Sequence, residues 1–219
     1  MKKRQPIESI HPRLRLVITL VLVLIALAPS ASATDSKNIV LLGDSIGAGY
    51  GLDGEPAFAT LLQQRLDAEN PGWKMVNASV SGDTTAGGLR RIGWVLKRPA
   101  AVLIIELGGN DGLRGVRPEE TRRNLEGIID QARKRQPGLR ILLAGMQMPG
   151  NMGRDYTEAF REIFPAVAKA KDVELIPFLL EGVGAQAEFN QADMIHPNAA
   201  GHRRVADNVW PVLKRVLGT

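Results

Sequence analysis

The chain has 219 residues, no cysteine, and 28 lysines and arginines against 23 acids. Without thiols it can form neither a disulfide framework nor a thiolate that attacks a substrate or holds zinc, so its stability must come from packing. Of the net charge of +5, the first 33 residues carry five positive charges and one negative; the remainder, at +1, lacks the dense basic footprint on which nucleic-acid binding rests.

Residues 1–33 read as an export signal, with Lys2, Lys3, Arg4, Arg13 and Arg15 ahead of the apolar run LVITLVLVLIALA and the small residues APSASA. That run of 13 residues is shorter than the roughly 20 needed to cross a bilayer. A cleaved leader is expected, with a mature domain over 34–219 that starts near Thr34, lies in the periplasm or outside the cell, and keeps no stable membrane anchor. From residue 38 onward, apolar runs alternate with stretches of helical period. NIVLLG is a predicted strand, and AFATLLQQRLDAE a helix with Phe58, Leu61, Leu62 and Leu66 on one face. The rhythm repeats through strand KMVNAS, helix TAGGLRRIGWVLK, strand AVLIIELGG, helix PEETRRNLEGIIDQARKR, strand RILLAGMQM, helix DYTEAFREIFPAVAKA, strand VELIPF and a last helix near 199–217. Continuously apolar strands alternating with helices predict an α/β fold, a parallel five-stranded sheet covered by helices on both faces.

Polar clusters fall where strands hand over to loops: Asp44-Ser45 after the first, Ser81-Gly82-Asp83 after the second, Gly108-Gly109-Asn110-Asp111 after the third. In an open parallel sheet these ends share the rim where ligands bind. Gly43-Asp44-Ser45-Ile46-Gly47 fits the G-x-S-x-G pattern of a nucleophile elbow, although a serine there also suits a helix N-cap. A trypsin-like site needs a histidine upstream of its serine, and only His11, in the leader, lies there. An α/β-hydrolase builds several strands before its elbow, whereas Ser45 follows the first. Downstream, His202 falls within the predicted last helix and reads as a surface or packing residue; His196 has Asp193 three residues before it, in DMIHPN. One turn can point both side chains the same way, so Asp193 can orient an imidazole that faces Ser45.

Four blocks in order, GDSIGAGYG, NASVSGDTT, LGGNDGLRG and DMIHPN, resemble the SGNH (GDSL-type) hydrolases over nearly all of the chain from residue 38. ELGGNDGLRG is similar to their multifunctional periplasmic acyl-thioesterase, lysophospholipase and arylesterase branch. The resemblance implies a three-layer α/β/α sandwich of flavodoxin-like type, with Ser45 as nucleophile and Asp193 and His196 as its partners. It also implies an oxyanion hole made by the backbone of Ser45 together with Gly82 and Asn110. Gly47 departs from the branch, where a serine is expected.

The chemistry asks for the same groups. A serine hydroxyl attacks only when a neutral imidazole takes its proton, and the tetrahedral oxyanion needs fixed donors. Asp83 and Asp111 read as turn and loop-shaping residues, because a carboxylate beside an oxyanion would oppose its charge. The expected activity is hydrolysis of acyl thioesters, aryl esters or lysophospholipids through an acyl-serine, by a monomer acting on a small-molecule substrate without metal or cofactor. Met148, Met152 and Leu113 are candidate acyl-binding residues, though Met146, Met148 and Met152 read equally as core filling. Two rivals stand beside this reading. A carbohydrate O-acetyl esterase would use the same scaffold, but 5% aromatics offer no evident sugar-stacking platform. A catalytically silent lipid-binding protein would have lost a triad or oxyanion residue, and none is lost.

Overall fold

The computed structural model describes residues 37–218; the leader and the cleavage point near Thr34 lie outside the described residues. Five strands, β1 (Asn38–Gly43), β2 (Lys74–Asn77), β3 (Val102–Glu106), β4 (Arg140–Ala144) and β5 (Glu174–Ile176), form one sheet in the order β2-β1-β3-β4-β5. All neighbouring pairs are parallel. The fold class read from the sequence is the one observed. Ile39, Leu41 and Leu42 of β1 and Val102, Leu103 and Ile105 of β3 are fully buried, as strands covered on both faces must be. That burial explains why they read as unbroken apolar runs.

The helices are α1 (Ser45–Ala48), α2 (Phe58–Glu69), α3 (Thr85–Val95), α4 (Gly109–Leu113), α5 (Pro118–Arg135), α6 (Arg154–Lys171) and α7 (Ala199–Leu217). On one face of the sheet α2 packs against α7; on the other α3 packs against α5 and α5 against α6. Pro118 opens α5, where a missing N–H costs nothing, and Glu119 and Glu120 at its start with Arg133, Lys134 and Arg135 at its end suit the helix dipole. No side chain caps α2 at Ala57. The buried His202 of α7 does that work: its Nδ1 accepts the Phe58 N–H at 3.1 Å. His202 is therefore a packing residue, the buried branch of the sequence reading.

Because β1 leads outward to β2 on one side while β3 leads to β4 on the other, the chain reverses its winding between β1 and β3. Crevices at such a switch point are where open α/β sheets bind ligands. The loops leaving both strands are tight. β3 ends at Glu106, three residues short of the predicted run, because Gly108 at φ 116° turns the chain straight into α4. α1 and α4, with four and five residues, are too short to show a period, and they carry Ser45 and Asn110.

Candidate active site

Ser45 is the first residue of α1, directly after the Asp44 N-cap, whose Oδ1 accepts the Ile46 N–H at 3.0 Å. The elbow is held from below by Glu106, at the end of the neighbouring strand. Its Oε2 accepts the N–H groups of Asp44 and Gly47, both at 3.0 Å. Arg91 of α3, ion-paired to Asp83 at 2.6 Å, also donates to the Gly43 carbonyl at 3.0 Å. Asp83 thus shapes the loop, as expected of it.

The histidine arrives from the segment between β5 and α7. An antiparallel bridge between Asn190 and Pro197 closes a small loop, with the Gln191 N–H donating to the His196 carbonyl at 2.8 Å. Within it, Asp193 Oδ1 accepts the backbone N–H groups of Ile195 and His196 at 2.9 and 3.0 Å. Its Oδ2 lies 2.6 Å from His196 Nδ1, and His196 Nε2 lies 3.0 Å from Ser45 Oγ across 151 residues of sequence. The backbone N–H of His196, opposed by desolvation and aided by the imidazole and Ile195, holds the Asp193 carboxyl down at about 2. It is a charged acceptor throughout the neutral range. With Nδ1–H given to Asp193, Nε2 is free to accept the serine proton, which is the tautomer a general base needs.

Gln191 ties the two loops together, its Nε2 donating to the Tyr50 carbonyl at 2.7 Å and to that of Pro197 at 3.0 Å. On the β3 side, Asn110 Nδ2 donates to Asp44 Oδ2 at 3.1 Å, leaving its second N–H unused. Gly82, at φ 79°, lies on the loop after β2 with its carbonyl bonded to Arg114 at 3.1 Å. Asp111 turns away from the rim. It is 1% exposed and accepts the Thr85 N–H at 2.8 Å and the Thr85 hydroxyl, fastening α4 to α3.

Beside Ser45 is a cavity of about 290 Å³ whose walls include Ile46, Leu113, Met146, Met148, Phe178 and Ile195. Ile46 and Ile195 are the chain neighbours of Ser45 and His196, so the cavity begins where the reacting groups end. Met148 and Leu113 line it. Met152 does not: it closes a short 3₁₀ turn, Gly150–Met152, and is absent from the lining. The sequence reading gave no role to Glu106, Asp44, Tyr50 or Gln191. Glu106 alone left a mark, as the single charge in the apolar stretch AVLIIELGG.

The GDSL-like Lipase/Acylhydrolase family matches residues 41–204. The chain is 45% identical to the esterase TesA of Pseudomonas aeruginosa over 183 residues, covering 83% of this chain and 90% of that protein. It is 41% identical to the thioesterase 1/protease 1/lysophospholipase L1 of Escherichia coli K12 over 181 residues, 81% of this chain and 82% of the other. Among solved structures, a crystal structure of TesA superposes with a TM-score of 0.78 at 46% identity, covering 82% of this chain and 99% of that one.

Proposed function

We propose how this chain works from the premise that it belongs to the GDSL-like lipase/acylhydrolase family and is a serine hydrolase of small-molecule esters. Ser45 Oγ attacks the substrate carbonyl while His196 Nε2, 3.0 Å away, takes its proton. Asp193 holds the ring by Nδ1–H and balances the imidazolium that forms. The oxyanion meets the N–H groups of Ser45 and Gly82 and the free N–H of the Asn110 amide. His196 then gives its proton to the departing alkoxide or thiolate, which leaves the acyl group on Ser45. Water, deprotonated by the same imidazole, attacks the acyl-serine; a second tetrahedral intermediate collapses, and the carboxylic acid departs with Ser45 restored.

The observation that carries this reading is the unbroken chain of contacts from Asp193 to His196 to Ser45 at the mouth of an apolar cavity. A cavity walled by Met146, Met148, Phe178 and Leu180 suits a hydrocarbon chain and offers little to a sugar's hydroxyls. Acyl thioesters, aryl esters and lysophospholipids are therefore the substrates we assign, in preference to acetylated carbohydrates. Export follows from the leader, and the mature domain is taken to act as a monomer without an anchor. Labelling with a fluorophosphonate tests the site: the adduct is expected on Ser45 and absent from Ser45→Ala. An unlabelled parent enzyme, or an adduct elsewhere, would sink the assignment. A panel of p-nitrophenyl esters, acyl-CoAs, a lysophospholipid and acetylated sugars tests the substrate class, and preference for the sugars would overturn it.

A further inference from the structure

Beneath Ser45 lies a pair of buried carboxyl groups that the hydrolytic cycle does not use. Glu106 stands beside Gly43 in the register of β3 on β1, is fully buried, and takes two peptide N–H groups of the elbow on one oxygen, Oε2. Oε1 has no hydrogen-bond partner. Asp44, 2% exposed, uses Oδ1 to cap Ile46 and Oδ2 to hold the Asn110 amide. The approach depends on the two glycines of the G-x-S-x-G pattern. A Cβ at either Gly43 or Gly47 would collide with Glu106 Oε2 and Ser79 Oγ. Both glycines thus clear room for the Glu106 carboxyl.

Two ionised carboxylates so near one another and so deep would repel strongly where charge is costly to bury. Complete burial first, and the Asp44 charge second, lift Glu106 well above the usual carboxylate range. Burial also raises Asp44, but the Ile46 N–H, the Asn110 amide and the neighbouring His196 favour its charged form. Other charges face the pair from few directions. Arg91 of α3 reaches the Gly43 carbonyl while paired to Asp83, and His196 stands on the far side of Ser45.

We propose that Glu106 and Asp44 are a positioning pair of which only Asp44 is charged: Glu106 fixes the peptide groups flanking Ser45, and Asp44 aims Asn110 at the developing oxyanion. The proton resides on Glu106, whose Oε2 then accepts both N–H groups as a carbonyl oxygen. Asp44 stays charged, which gives Asn110 a strong acceptor and fixes which of its N–H groups is left for the substrate. When Glu106 loses its proton at alkaline pH, the two charges push the elbow and Asn110 out of line. Turnover falls while the fold persists. The proposal rests on Ser45 as nucleophile and Asn110 as oxyanion donor.

The test compares parent, Glu106→Gln, Glu106→Ala and Asp44→Asn by kcat, KM and fluorophosphonate labelling across the neutral and alkaline range, with thermal unfolding as the control for folding. Glu106→Gln keeps a neutral acceptor for both N–H groups, so its kcat should stay within about fivefold of the parent and its alkaline decline should disappear. Glu106→Ala strands both N–H groups and should lower kcat by about 10²-fold with little change in KM, the scale of a misplaced reacting group. Asp44→Asn must turn a donor towards Asn110 or lose its cap, and should lower kcat far more than Glu106→Gln does. If the alanine variant does not fold, the pH profile of Glu106→Gln decides alone. A glutamine variant that retains the parent's alkaline decline, or is no more active than Asp44→Asn, overturns the neutral Glu106. A parent that fluorophosphonate does not label at Ser45 instead overturns the site reading beneath it, and with it this pair.

Discussion

Tyr50 places its ring 4.7 Å from the imidazole of His196, centroid to centroid, at a tilt of 44°. The tyrosine is itself half-exposed, and its carbonyl is held by Gln191. The nucleophile loop therefore supports the histidine ring by a contact separate from Asp193's grip on Nδ1. An aromatic contact of this kind contributes about 0.5–1.5 kcal/mol beyond burial, and here it limits which way the imidazole can swing. Tyr50→Ala should lower kcat/KM by about 2–10-fold through kcat, while Tyr50→Phe, which keeps the ring, should match the parent. Equal losses in both variants would mean that the hydroxyl, not the ring, is what matters.

Asn110 and Asp111 are adjacent yet should fail in opposite ways. In the proposed oxyanion role, Asn110→Ala removes a donor that meets full charge only in the transition state, so kcat should fall roughly 10²–10³-fold with KM little changed. Asp111 touches Thr85 and no reacting group. Asp111→Asn gives up part of a buried, double acceptor and should cost about 1–3 kcal/mol of stability with turnover near that of the parent. Thermal unfolding and steady-state kinetics on both variants read out the contrast. A stable Asn110→Ala with normal kcat would remove Asn110 from the oxyanion hole.

Local relationships were legible in the sequence and long-range ones were not. Asp193 and His196 sit one turn apart, so their spacing announced them. Ser45 was marked by its two glycines, but the sequence could not say that a Cβ at either would meet Glu106, which arrives from a neighbouring strand. The strand and helix order was readable because burial on both faces makes the middles of β1 and β3 apolar and because Pro118 opens α5. Strand ends were overextended: in KMVNAS and AVLIIELGG the apolar pattern runs on into the catalytic loops, whose conformation is set by tertiary contacts. Gln191 and Tyr50 had no signal at all, since each matters only through the loop opposite it.

The cavity makes a statement about chain length. Met148 forms part of its wall and also packs against Gly112, where no Cβ would fit beside it. Met148→Ala should open the wall and let longer acyl chains bury further. Each methylene newly buried is worth about 0.8 kcal/mol, so kcat/KM for long chains relative to short should rise about fourfold per added carbon until the new space is filled. Rates on a series of p-nitrophenyl esters check this, and an unchanged ratio would place the acyl chain outside the cavity.

His202 gives the fold an acid limit that can be isolated. It is 1% exposed, stacks on Phe58 with ring centroids 6.2 Å apart, and accepts the Phe58 N–H through Nδ1, which only the neutral ring with its proton on Nε2 can do. Burial, with the charge of His196 second, lowers it from 6.5 to about 4. An unfolded chain takes up this proton near 6.5 and the native state only near 4, so between those values the unfolded state binds more protons and stability rises with pH. The contribution is complete above about 6.5, is lost as pH falls to about 4, and amounts to about 3 kcal/mol at about 1.4 kcal/mol per pH unit. Asp193, held at about 2, loses its own contribution only below the ordinary carboxylate value, outside this window. Glu106 and Asp111, both raised, act with the opposite sign inside it, since the native state is then the one that binds more protons. The measurement is therefore the difference between parent and His202→Asn in denaturant unfolding from neutral pH to about pH 4. Asparagine can offer Phe58 an acceptor but cannot titrate. The variant should be less stable than the parent near neutrality, because of the smaller side chain, and the gap should narrow steadily as the pH falls. Parallel curves for the two proteins would show that His202 is not the group that acid attacks.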